Sequence, residues 1–312
     1  MLRPRGVGGV GSVVDTVSPH LGDAARVLTV SARCPRDLAR IAIAARGRVV
    51  HLHSSLRLRA LLRDGVLHRL LRARGARTVV HWHGLDRTLL RRLDRRPGIR
   101  WRVRGGFGDA ARTFVLVPEL ADRLRRWGWH GVELVRNPAP VSERAWTPEP
   151  HRLLFLGRLV ADKGIASLGV AFALLRRRWP DTTLALAGSG PCTLDGPGVE
   201  RLGWLDPDTR ARELARASVL VLPTRDDAAP MAVLEALGAG VPVVATRIGA
   251  IPEMVGDHGV VVDRPDPASI ARAVERVWAD PPRSRRDFDA QTPRAIAAQW
   301  VATYRAIACT AG

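Results

Sequence analysis

The feature that most constrains this chain is an alternation that runs its whole length. Short apolar runs are each followed by a segment with helical spacing. Runs of that length read as strands buried on both faces, and helices between successive strands make the strands parallel. In the first half the strand candidates are residues 26–31, 49–53, 78–82, 113–117 and 132–136. Residues 56–74 predict a helix with Leu58, Leu61, Leu62 and Leu70 on one side and Arg on the other. Pro138, Pro140, Pro148 and Pro150 then break the pattern, which places a domain boundary there. It restarts with strands at 153–156, 183–187, 219–222, 241–245 and 260–262. The expected fold class is α/β, two doubly wound, Rossmann-like domains facing each other across a cleft. They occupy residues 1–140 and 150–292, and residues 293–312 form a C-terminal helix bearing Trp300 and Tyr304 that packs back toward the first domain.

Composition narrows the functional classes. A 46% hydrophobic fraction supports a packed core, yet no apolar run approaches the ~20 residues of a membrane helix. The basic start, Met1 to Arg5, leads into glycines rather than an apolar stretch, so no secretory leader is expected. Cys34, Cys192 and Cys309 lie far apart, which excludes a zinc ribbon or a disulfide framework and fits a cytoplasmic, reducing setting. Charge is uneven. Residues 1–150 carry 29 Arg against 12 acidic residues, and residues 151–312 carry 20 basic against 18 acidic. The asymmetry points to an anionic partner for the first half, nucleic acid or an anionic membrane surface, or else to a solvated Arg face with no partner. No recognition helix, RNA-binding aromatic pair or zinc module accompanies it, so nucleic acid is not the expected partner. Of the 49 basic residues Lys163 is the one lysine. A compact ammonium on a flexible stem contacts phosphate without the planar Arg fork.

The segment from Leu222 to Glu235 is the most informative. A strand ends at Leu222, a polar loop carries Asp227, and Pro230 stands where a helix begins. Proline there predicts that the N–H groups of Met231, Ala232 and Val233 are left outside the helical ladder, free for an anion. Glu235 follows one turn later on the face of Met231, where it can accept hydrogen bonds from a ribose.

This segment resembles the signature of the family 4 retaining glycosyltransferases, in which an acidic residue, seven intervening residues and a Glu precede a glycine-containing helix end and an apolar strand. Here the pair is Asp227 and Glu235, Asp standing where the family usually has Glu, and Ile248 to Glu253 resembles the continuation. Residues 156–164, with Arg158 and Lys163, resemble the family segment that contacts the donor diphosphate. Residues 187–191 and 202–205 resemble turns near the nucleotide base. The resemblance implies the two-domain GT-B fold, with donor binding in the second domain and the acceptor on the side of the first. It also implies transfer of a hexose from a nucleotide-diphosphate sugar, in exopolysaccharide or cell-wall glycan assembly, with no cofactor and no essential metal.

His51, His53, His81 and His83 end two strands in the first half. His83 resembles the family histidine near the transferred sugar and acceptor. A four-histidine metal site is the rival reading, without carboxylate or Cys spacing to support it. Gly6 to Gly11 matches GxGxxG as a string, but no acidic residue ends the following strand, which argues against a nicotinamide cofactor. By resemblance Gly8 and Gly9 belong to an N-terminal loop that approaches the donor phosphates. That loop normally follows a strand, and only Met1 to Arg5 precede it, so either the first strand is absent or the recorded start lies downstream. Asp206 with Asp208, and Asp287 with Asp289, match a bare DxD; Asp208 reads as a helix N-cap and the second pair as linker.

The expected activity is therefore retaining hexosyl transfer to a carbohydrate or a polyprenyl-diphosphate-linked saccharide. His83 and Asp227 would orient the sugar, while Gly8, Gly9, Arg158, Lys163, Met231, Ala232, Val233 and Glu235 would bind the donor. The first domain would dock peripherally on the inner membrane face. The alternative is a non-catalytic paralogue that binds nucleotide-sugar without turning it over.

Overall fold

In a computed structural model, all recorded strand pairings are parallel and fall into two sheets. The structure describes residues 2–4, 9–24, 28–30, 41, 43–282, 288 and 291–309. The chain divides into two compact units, Met1–Pro138 with Ala290–Gly312, and Ala139–Asp289. Each is a Rossmann-like α/β layer structure.

The first unit's sheet runs β2-β1-β3-β4-β5-β6. Its strands are β1 (Leu2–Pro4), β2 (Leu28–Val30), β3 (Val49–Ser55), β4 (Arg77–His83), β5 (Arg112–Val115) and β6 (Val132–Leu134). A strand therefore does precede the glycine segment, so of the two alternatives the sequence left open the absent first strand is ruled out. β1 lies between two neighbours, with Leu2, Arg3 and Pro4 in register with Leu28, Thr29 and Val30, and Leu2 opposite Leu52. A three-residue strand ending in a residue without an N–H leaves almost no apolar signal to read. The helix Pro293–Cys309 belongs to this unit and packs on β3 and the helix Gly9–Val17, with Trp300 fully buried.

The helix Leu58–Ala73 forms where expected but turns a different face inward. Leu61, Leu67 and Leu71 are buried together with Asp64, Gly65 and His68, while Leu58, Leu62, Val66 and Leu70 are exposed. The buried polar groups are satisfied, Asp64 by Ser54 and Arg63 and His68 by Thr78, so they enter the core at little cost.

The second sheet runs β12-β11-β10-β7-β8-β9. It comprises β7 (Arg152–Leu156), β8 (Thr183–Ala187), β9 (Val199–Gly203), β10 (Val219–Leu222), β11 (Val243–Thr246) and β12 (Gly259–Val262). Residues Val219 to Leu222 are each at most 1% exposed, as expected for a central strand covered by helices on both faces. Residues 139–150 are part of this unit: Ser142 N donates to Gly238 O, and Trp146 Nε1 to Ala217 O. Counted from β7, the strand order reverses between β7 and β10. At such a switch point the loops leaving the two carboxyl ends diverge and open a crevice for a ligand.

Candidate functional site

The loops after β7 and β10 meet at this crevice. Beyond Leu156 the chain makes a 3-10 turn, Ala161–Lys163, and enters the helix Ile165–Arg178 through Gly164 at φ +74°. Any side-chain carbon on Gly164 would overlap the Pro223 carbonyl, so only glycine lets the turn press against the end of β10. Two bonds lock the contact: Arg225 N donates to Asp162 O at 2.7 Å, and Thr224 Oγ1 to the same oxygen at 3.3 Å.

That clamp brings the chain's one lysine to the β10 loop, where the Lys163 ammonium donates to Asp227 Oδ2. Both side chains are largely enclosed, 13% and 18% exposed. Asp227 Oδ1 accepts from Ala228 N at 3.1 Å, orienting the carboxylate. The strand-to-helix loop is closed from its other side by Gly249, where a side chain would collide with the Ala228 carbonyl, and by Ala250 N donating to Ala228 O at 2.7 Å. Lys163 and Asp227, expected to act separately on diphosphate and sugar, are thus one ion pair.

Pro230 is the extended N-cap of the helix Met231–Gly238, with φ −67° and ψ 126°. Val233 N donates to Pro230 O at 3.2 Å, which corrects the expectation that three amides stand free. The first turn closes tightly enough to take up the third, leaving Met231 and Ala232 to offer N–H groups. Asp227 and Pro230 are three positions apart, a span of at most ~11 Å, so the ammonium and the helix start share one neighbourhood. Arg158, just past β7, is exposed.

Glu235 is buried, 8% exposed, rather than a solvated helix glutamate. Arg210, on the helix Pro207–Arg216, approaches its Oε1 at 3.6 Å; nothing in the local sequence marks that partner. The turns after β8 and β9 join the same end of the sheet. Gly188 N donates to Gly203 O at 2.6 Å, Leu159 N to Ser189 O at 2.9 Å, and Trp204 stands 49% exposed. The N-cap of the helix Pro207–Arg216 is Asp206, which accepts from Asp208 N and Thr209 N, not Asp208. Asp208 instead pairs with Arg144 and Arg212. Asp287 and Asp289 lie outside the described residues.

In the first unit, His51, His53, His81 and His83 share one face of β3 and β4, with His53 in register with His81 and Ser55 with His83. All four are buried. His53 Nδ1 and His83 Nε2 share a hydrogen bond of 2.8 Å, and His51 Nδ1 and Tyr304 Oη one of 2.6 Å. Burial drives the His83 pKa down to about 3. Burial, with neighbouring imidazoles second, holds His51, His53 and His81 well below the usual histidine range. His83 is thus a neutral imidazole at neutral pH, able to donate or accept a hydrogen bond. Nitrogens of His51, His53 and His81 lie within 4.8 Å of one another. That set supplies three imidazoles and no carboxylate or thiolate. Gly9 opens the helix Gly9–Val17, and Gly8 lies outside the described residues.

Two parallel doubly wound units, one with a proline-capped helix start and an enclosed ammonium at its switch point, define the GT-B class of fold. Comparison with known proteins agrees. The profile described as "Glycosyl transferases group 1" matches residues 150–280. The glycogen synthase of Mycobacterium tuberculosis is 34% identical over 193 residues, covering 54% of this chain and 46% of that protein. The GDP-mannose-dependent alpha-(1-6)-phosphatidylinositol monomannoside mannosyltransferase of Mycolicibacterium smegmatis is 34% identical over 258 residues, covering 69% of this chain and 64% of the relative. The chain thus spans about half to two-thirds of the length of these relatives. Among solved structures, Anabaena Alr3699/HepE in complex with UDP-glucose superposes with a TM-score of 0.62 at 15% identity, covering 99% of this chain and 90% of that one.

Proposed function

We propose that the protein is a retaining glycosyltransferase, moving a hexose from a nucleotide-diphosphate sugar to a carbohydrate or a polyprenyl-diphosphate-linked saccharide. The observation that carries this reading is the Lys163–Asp227 ion pair at the β7/β10 switch point, beside the amides of Met231 and Ala232. Such a pair does work a structural salt bridge would not. When a diphosphate enters, its oxygens compete with Asp227 for the ammonium. The lysine turns to the phosphate, and the released carboxylate is free to accept a hydroxyl of the donor sugar.

Departure of the diphosphate then places negative charge where Lys163, already turned to the phosphate, Arg158 and the two amides can stabilise it without further reorganisation at the moment of reaction. The bond from the anomeric carbon to the phosphate oxygen breaks, and a bond to the acceptor oxygen forms on the same face. The acceptor's proton passes to a phosphate oxygen of the leaving group, so no protein nucleophile takes part. Glu235 holds the ribose, and His83 orients the sugar as a neutral imidazole. No metal ion is required in this scheme. The names of the relatives, one of them a GDP-mannose-dependent mannosyltransferase, support a nucleotide-sugar donor and a lipid-linked acceptor. The protein works in the cytoplasm, docked on the anionic inner membrane face through its basic first unit.

The test is product mass spectrometry with a panel of UDP-, GDP- and ADP-sugars, for native protein and Lys163→Ala. Transfer with one donor, lost in the variant, supports the proposal. Equal transfer by both proteins defeats the assignment of Lys163, and nucleotide binding without turnover of any donor selects the non-catalytic alternative.

A further inference from the structure

The helix Leu58–Ala73 exposes a face that its own unit leaves uncovered. Leu58, Leu62, Val66 and Leu70 are 55%, 65%, 57% and 46% exposed. They recur every four residues, so each step drifts about 40° round the axis and the four form a continuous band roughly 18 Å long. The other exposed positions between Arg57 and Arg74 are Ala73 and arginines: Arg57, Arg59, Arg63, Arg69, Arg72 and Arg74. The helix's one acid, Asp64, points inward. Of these arginines, Arg63 is paired with Asp64 and Arg72 with Asp109.

A second helix, Pro97–Phe107, extends the surface. The two pack closely where Gly65 meets Gly106, and Arg69 Nε donates to Gly105 O at 3.4 Å. Trp101, one turn before Gly105, is 73% exposed. Its helix carries arginines and no acid.

Aliphatic side chains ringed by guanidinium groups, with an indole at the edge, match the two layers of an anionic bilayer surface: acyl chains below, phosphates above. Among the described residues no helix is long and apolar enough to cross a membrane. We propose that the helix Leu58–Ala73, with Trp101 beside it, is the membrane-docking element of this protein, lying in the plane of an anionic lipid surface. A nucleic acid would use the arginines but leave the aliphatic band in water, and a second copy of the chain would bring a like-charged face against this one.

The inference rests on the proposed membrane-side reading but is tested without donor or acceptor, so its failure leaves the transferase assignment standing. The full chain is sedimented with phosphatidylcholine vesicles with and without phosphatidylglycerol, beside Leu62→Ser/Val66→Ser and Arg59→Gln. All these positions are exposed, and unchanged thermal unfolding checks that the variants fold. The expected result is binding to the anionic vesicles only, weakened about tenfold in the double serine variant and about fivefold in Arg59→Gln. Several results would overturn the proposal: no vesicle binding, equal binding to neutral vesicles, or full binding by Leu62→Ser/Val66→Ser. The third would mark a generic polyanion face. A dimer in light scattering that the serine variant dissolves, without vesicle binding, would show the band to be a self-association surface.

Discussion

Replacing Asp227 by Asn separates the two jobs assigned to the ion pair. The change keeps the side chain's size and its acceptor for Ala228 N but removes the charge that holds Lys163. A fully exposed pair contributes about 0–1 kcal/mol, whereas breaking a buried one costs about 3–5 kcal/mol. With the partners 13% and 18% exposed, the interaction lies between these limits, at about 1–2 kcal/mol. In the native protein a diphosphate must displace Asp227 before it gains the ammonium; in Asp227→Asn it need not. UDP or GDP, whichever the native protein binds, should therefore bind about five- to thirtyfold tighter to the variant by titration calorimetry. Sugar transfer should fall, because the carboxylate that accepts the sugar hydroxyl is gone. Tighter nucleotide with slower transfer is a combination that simple damage does not produce. Unchanged or weaker nucleotide binding would refute the competition on which the mechanism rests.

Other consequences can be checked alongside. Gly164→Ala puts a methyl group into the Pro223 carbonyl at a positive φ, so it should separate the β7 and β10 loops, lower the melting temperature and abolish nucleotide binding that Ile165→Val retains. Tyr304→Phe removes the hydroxyl bonded to His51 and should cost about 1 kcal/mol of stability in chemical denaturation. Acid should unfold the first unit early. His83 falls from 6.5 in the unfolded chain to about 3 in the fold, so unfolding takes up a proton between those values and stability drops as pH falls through that window. By about pH 5 this single residue accounts for roughly 2 kcal/mol, with the three neighbouring histidines acting in the same direction. Circular dichroism melts across that range should show the loss, and an acid-insensitive melt would contradict it.

Much of the second unit was legible from residues alone, for a physical reason. β7, β10 and β11 are covered on both faces, and such strands are near-continuous apolar runs, here Leu153–Leu156, Val219–Leu222 and Val243–Ala245. β9 is an edge strand with Glu200, Arg201 and Gly203 exposed, and it carries no such signal. β1 is three residues long and ends in proline. In the helix Leu58–Ala73 leucines stand on both faces, and spacing could not say which face the sheet would cover. Lys163, Asp227 and Glu235 were visible as candidates. Their partners were not, because Lys163 with Asp227 and Arg210 with Glu235 are joined by the packing of distant loops and helices. The loss of Val233 N to Pro230 O depends on how tightly one turn closes, which residue types do not determine.

In the proposed mechanism the enclosed ammonium and the start of the Met231 helix bind the same diphosphate. A crystal structure of the protein with a bound nucleoside diphosphate tests it most directly. Phosphate oxygens should lie about 2.8 Å from Lys163 Nζ and within hydrogen-bonding reach of Ala232 N, with the Asp227 carboxylate released. A diphosphate bound elsewhere, with Lys163 still held by Asp227, would contradict the claim.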